Sequence, residues 1–169
     1  MKHVPEVKAF DIILIFTYII WCVFLSIGYK TEYFEFQFVK KAIGLTGFAP
    51  AFLIYGIYSK KLRNNKIFLA WFVIGLIQFI IYLLYSDLPE FSNVKGSVLS
   101  PIKGLFFTVI VYRAIRHLYY KIFRRELIIT DNRGFVGSRS LEEQRTIGKS
   151  DFVFSIIGCL IIIFATIFP

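Results

Sequence analysis

The stretch Ser100–Tyr120, SPIKGLFFTVIVYRAIRHLYY, decides how this chain is arranged. Its unbroken apolar part is only Leu105–Tyr112, bounded by Lys103 and Arg113. Taken alone, it describes an amphipathic helix lying on a membrane surface. Its neighbours point elsewhere. Phe10–Tyr29, Ala42–Tyr58, Ile67–Tyr85 and Phe152–Phe168 are predominantly apolar blocks. Each approaches the roughly 20 residues that cross about 30 Å of hydrocarbon as a helix. In that medium the backbone must satisfy its own hydrogen bonds, so helix is the expected form.

Charge settles the fifth segment. The Ser59–Lys66 connection carries Lys60, Lys61, Arg63 and Lys66. The region after Tyr120 carries Lys121, Arg124, Arg125, Arg133, Arg139, Arg145 and Lys149. Connections rich in Lys and Arg stay cytoplasmic. Placing both on one side requires an even number of crossings between them, and Ile67–Tyr85 supplies only one. Ser100–Tyr120 then supplies the other, with Ser100 as cap and Pro101 at the first helical position. Lys103 and Arg113 fall near opposite ends of that helix, about 15 Å apart by helical rise. The expected fold is an all-α membrane protein, a bundle of five transmembrane helices with a small basic cytoplasmic segment. The alternative is four such helices plus one interfacial amphipathic helix.

Composition agrees with this class. Of the 169 residues, 57% are hydrophobic and 19% aromatic, more than a globule of this size can hide from water. The net charge of +9 does not indicate nucleic acid, because the aromatic residues sit inside the apolar blocks and are not interleaved with the bases. The first block follows a weakly basic start, as in a signal peptide. It is longer than a signal core and lacks a small-x-small cleavage site, so it is expected to be a retained helix. Cys22 and Cys159 lie within apolar runs, and His3 and His117 are isolated. No disulfide framework, metal site or cofactor is expected.

The connections carry finer expectations. The N-terminus is expected inside, and Lys30–Lys41, Ser86–Ser97 and the C-terminal Pro169 outside, in a bacterial plasma (inner) membrane. In Thr31–Val39, Phe34, Phe36 and Phe38 alternate with Glu35 and Gln37, the period of an extended segment. Within the cytoplasmic segment 123–150, Leu127–Thr130 suggests a strand and Asp131–Gly134 a turn before Phe135-Val136. Ser140–Glu143 has capping-box spacing for a short helix ending at Gly148. Ser150 is expected to cap the last helix, with Asp151 at its positive end.

No catalytic pattern is present: there is no H-E-x-x-H, no G-x-S-x-G and no phosphate loop. Asp11 is expected at the inner end of the first helix, solvated by headgroups. The intramembrane polar candidates are Gln78 and Lys103. Gln78 would either line a pore or cavity or hold two helices together by a hydrogen bond of roughly 1 kcal/mol. Lys103 would either attract an anion or snorkel to the interface. Gly47 and Ala51 have small-xxx-small spacing for close helix approach, and Pro50 between them should bend the helix. Arg113 and Arg116 share a helical face with His117 and Tyr120 nearby. They would bind anionic lipid headgroups or an acidic partner, unless they only signal topology.

These features suggest a non-enzymatic membrane protein that binds a protein partner, as an accessory, regulatory or toxin-neutralising subunit. Arg113, Arg116, Arg124, Arg125 and Arg139 are the candidate contacts to partner or lipid. A homo-oligomeric channel, with Gln78 or Lys103 repeated about an axis, is the alternative. A membrane enzyme or lipid-handling protein is a third class. Membrane lipids and either a protein partner or further copies of the chain are the expected partners.

Overall fold

A computed structural model describes residues 5–56, 58–93, 96–129, 139–140 and 145–167. Its helices are α1 (Ala9–Lys30), α2 (Phe36–Gly56), α3 (Asn65–Tyr85), α4 (Gly104–Phe123) and α5 (Lys149–Ile167). A 3-10 turn at Lys61–Arg63 leads into α3, and another at Ser100–Lys103 leads into α4. Two small antiparallel ladders complete the described elements. One pairs β1 (Ser92–Asn93) with β2 (Gly96–Ser97), the other β3 (Arg139–Ser140) with β4 (Arg145–Thr146).

Four of the helices, α1, α2, α3 and α5, are long and apolar enough to cross a membrane. Their outward faces carry large apolar side chains. Phe10, Ile13, Phe16 and Ile20 on α1, Leu69, Ile77 and Leu84 on α3, and Leu160 and Phe164 on α5 are all exposed. A contiguous apolar surface of this extent is an aggregation liability in water and the normal exterior of a helix bundle in lipid.

The fifth helix, α4, carries Arg113, Arg116 and Lys121, and it is not among those four. Yet it occupies the middle of the bundle, packing on α2, α3 and α5. Its inward stripe runs through Leu105, Val109, Tyr112, Ile115 and Tyr119, at spacings of three and four, and every one of these is buried. It runs antiparallel along α3: Lys103 lies over the Tyr82 ring, Phe106 against Phe79 and Phe72, and Arg113 over the Phe68 ring. Gly75 makes this approach possible, since a Cβ there would sit 2.9 Å from the Phe106 Cα.

The bundle has two distinct ends. At the arginine end, the start of α1, the Lys61–Arg63 turn, the C-terminus of α4 and the start of α5 come together. Lys61 reaches Asp11, Arg63 reaches the carbonyl of Leu127, and Ile128 reaches Asp151. At the opposite end, Val39, Ile43, Phe91 and Leu99 form a small apolar cluster. There Tyr29 donates to Glu90 at 2.6 Å, tying α1 to the α3–α4 connection.

Several local expectations are corrected. Thr31–Val39 is not extended: α2 already begins at Phe36, six residues before the apolar block. Residues two apart in an alternating pattern are also four apart in pairs, and the Phe34 and Phe38 rings meet at 5.0 Å as a helix start allows. So short a window cannot separate the two periods. Ser100 makes no cap bond; the 3-10 turn begins at it, with Leu99 in the capping position. Ser150 lies inside α5, and its hydroxyl is engaged by Arg125 and Tyr119. Ser140 does not start a helix but pairs with Arg145 in the second ladder. Leu127–Ile129 are buried without belonging to a strand. The suggested Asp131–Gly134 turn and Phe135-Val136 lie outside the described residues.

Candidate functional site

Among the described residues, buried polar side chains gather at two places. The first is the middle of the bundle. Gln78, 6% exposed on α3, donates through Nε2 to the Tyr18 hydroxyl on α1 at 2.7 Å. Tyr18 in turn donates to the backbone carbonyl of Thr46 on α2 at 2.9 Å. That acceptor has a specific origin. Thr46 is four residues before Pro50, and proline has no N–H to offer the carbonyl a turn earlier. The tyrosine supplies the missing donor, and Gln78 completes a chain linking three helices. Trp21 Nε1 donates to the Thr46 hydroxyl at 2.9 Å, and that hydroxyl donates to the Ala42 carbonyl at 2.7 Å. Cys22 Sγ lies 3.6 Å from Gln78 Nε2. Gln78 Oε1 has no hydrogen-bond partner among the described residues.

Gln78 and Pro50 stand out in the sequence as separate oddities, whereas the structure joins them through Tyr18. Nothing in the sequence marks Tyr18 among ten tyrosines. The one available clue was the carbonyl freed by Pro50, which requires a donor somewhere. Nearby, Gly47 faces the backbone of the 3-10 turn before α4, where a Cβ would fall on the Pro101 carbonyl. Ala51 is 1% exposed. Lys103 is 3% exposed, with Nζ 4.8 Å from the centre of the Tyr82 ring.

The arginine end is organised around two fully buried carboxylates. Asp11 accepts from the Tyr58 hydroxyl at 2.6 Å, Lys61 Nζ at 3.0 Å and the backbone N–H of Lys8 at 2.7 Å. It is thus solvated by protein, and not by headgroups as its place at the inner end of the first helix had suggested. Asp151, in the first turn of α5, accepts from the backbone N–H groups of Ile128 at 3.1 Å and Gly148 at 3.0 Å. One carboxylate therefore gathers the segment between α4 and α5 at both of its stems. Arg63 adds a bond to the Leu127 carbonyl at 3.1 Å. Arg125 holds the same junction from the other side, donating to Tyr119 at 3.0 Å and to Ser150 at 2.7 Å.

Arg113, Arg116, His117 and Tyr120 line a cleft of about 160 Å³ together with Glu126. Arg116 makes a two-pronged pair with Glu126, at 2.9 and 3.2 Å. Arg113 lies 4.8 Å above the Phe68 ring centre, and its nearest polar contact is the neutral amide oxygen of Asn65 at 3.4 Å. Arg124 ends α4 in the left-handed conformation, with φ of 53°, and is exposed. Arg139 is placed by its backbone in β3, opposite Thr146. Of the five arginines singled out in the sequence, Arg113 and Arg116 share the cleft, Arg125 is a structural brace, and Arg124 stands in solvent. Among the described residues, no three His, Cys, Asp or Glu side chains come together as a metal would require. The chain matches no protein-family model, no curated protein and no solved structure.

Proposed function

We propose that this chain is a five-pass membrane protein that acts without catalysis, by binding a protein partner at its arginine end. In this reading the arginine end is cytoplasmic, in a plasma (inner) membrane, as the positive-inside rule requires. The fifth crossing is supported by the course of α4, which follows α3 in antiparallel from Tyr82 to Phe68 instead of lying across its end. A helix resting on the surface would not bury a stripe between three others.

The observation that carries the partner reading is the Asp151 clamp. A connection between two membrane helices usually costs ordering entropy when a partner immobilises it. Here the stems at Ile128 and Gly148 are already fixed on one carboxylate, and β3 pairs with β4 between them. The two stems of the basic segment are thus held before any partner arrives, which lowers the entropic cost of ordering them. A homo-oligomeric pore is less well supported. Its two candidate lining groups, Gln78 and Lys103, are both buried within a single copy.

Two measurements test the reading. Single cysteines replacing Asp87 and Arg124 should be labelled from opposite faces of the membrane; labelling from the same face removes the five-pass arrangement. The tagged protein, extracted from native membranes in mild detergent, should bring a specific protein with it. The double variant R124E/R139E should lose that protein while folding normally. Recovery of the wild type alone, or undiminished capture by the variant, would end the partner reading.

A further inference from the structure

The cleft on α4 combines two properties that are separated elsewhere at the arginine end. Its charge is incompletely neutralised. Glu126 is taken up by Arg116, while Arg113 faces an aromatic ring and a neutral amide, with no carboxylate among the described residues. A guanidinium presents five N–H donors, and two long contacts to one oxygen leave most of them available to an incoming acceptor. His117, exposed one turn further along, adds a donor on the same face, and Tyr120 lines the cleft beside it.

The cleft also stands directly above apolar surface. Ile110, one turn before Arg113 on α4, is 37% exposed. Beneath Arg113 a half-buried wall of rings descends from Phe68 to Phe72 at 6.0 Å and on to Phe106 at 5.8 Å. A free anion would use only the upper half of this arrangement, and an acidic protein segment would leave the lower half uncovered. A molecule with a phosphate at one end and an acyl chain at the other uses both. The cleft, of about 160 Å³ and open to the outside, has room for a phosphate group.

We propose that the Arg113–Arg116–His117–Tyr120 cleft binds the phosphate of an anionic glycerophospholipid, with an acyl chain along the Phe68–Phe72–Phe106 wall. Zwitterionic lipids are disfavoured because their ammonium would approach Arg113. This site is independent of the proposed protein partner. It uses the flank of α3 and α4, whereas the partner reading rests on the segment between α4 and α5.

The test is native mass spectrometry of the purified protein in non-ionic detergent. Phosphatidylglycerol and phosphatidylcholine with identical chains are added in turn, with inorganic phosphate as competitor. The wild type should retain phosphatidylglycerol over phosphatidylcholine by about fivefold or more, the ratio expected for one basic residue near an anionic headgroup. H117E, which places a carboxylate in the cleft, should abolish that preference and leave phosphatidylcholine retention unchanged. R113Q should do the same. If R113Q fails to fold, H117E decides, because the exposed His117 ring makes no hydrogen bond or ring contact among the described residues. Equal retention of the two lipids by the wild type overturns the proposal, as does an H117E variant that keeps the preference. Displacement of the lipid by an equal concentration of inorganic phosphate overturns the assignment to lipid.

Discussion

The middle of the bundle and its arginine end both bury polar groups, but they use them differently. In the middle, Gln78, Tyr18 and the Thr46 carbonyl form a chain that repairs the defect left by Pro50. Apart from the unpartnered Gln78 Oε1, its donors and acceptors serve one another, and no cation or carboxylate belongs to it. At the arginine end, the carboxylates Asp11 and Asp151 are drawn inward and saturated. The cations of Arg113 and Arg124 are left facing outward. The two acids are consumed there by the fold, with Lys61, Arg63 and Arg125 bracing the same junction, while Arg113 and Arg124 keep an exposed face. The difference teaches that an intramembrane glutamine, conspicuous in a sequence, can be tied into a hydrogen-bond chain between helices, whereas Arg113 and Arg124 keep exposed charge.

This contrast can be broken experimentally. The largest effect is expected for Asp151→Ala, which strands the buried N–H of Ile128 and releases the Gly148 stem. A loss of about 3 kcal/mol in unfolding free energy is expected, with Asp11→Ala similar because Lys61 and Tyr58 lose their common partner. Thermal or denaturant unfolding in detergent measures it. A loss below about 1 kcal/mol would mean that the carboxylates are incidental.

A smaller effect is expected in the middle. Tyr18→Phe removes the donor to Thr46 and the acceptor for Gln78, costing about 1–2 kcal/mol. The sharper measurement is its coupling to Pro50→Ala. In the double variant, the new N–H at position 50 can take the Thr46 carbonyl, so Pro50→Ala should recover about 1 kcal/mol of the Tyr18→Phe loss. Strict additivity in the double-mutant cycle would show that the tyrosine does not serve the proline defect.

The smallest stability effect is expected for Arg124→Glu, less than about 0.5 kcal/mol, because its side chain stands in solvent. A substantial loss of stability there would contradict the division between acids that hold and bases that face outward.

Much of the architecture was legible in the residues. The four apolar blocks coincide in the main with α1, α2, α3 and α5, though α2 begins six residues before its block and ends at Gly56, short of Tyr58. Hydrophobic length is a local property, so a window of about twenty residues contains the whole signal. Boundaries were less legible. The start of α2 at Phe36 depends on the turn around Glu32, whose φ of 56° lies in the left-handed region. The candidate site was legible only in part. Arg113, Arg116, His117 and Tyr120 share one helical face, which periodicity shows directly. Glu126 lies beyond the helix end, and its pairing with Arg116 depends on how the chain turns after Arg124.

By itself, the sequence determined that this chain carries several long apolar helices and collects most of its arginines outside them. Both follow from composition along short windows, because hydrocarbon solvation and helical hydrogen bonding act on neighbouring residues. Only the tertiary structure decided that α4, the least apolar helix, lies at the centre, and that Asp11 and Asp151 are interior groups. It also decided that Gln78 and Pro50 belong to one chain of hydrogen bonds. These pairings join residues 23 to 60 positions apart. Burial and partner choice are set by which helix faces meet, and no local pattern carries that information.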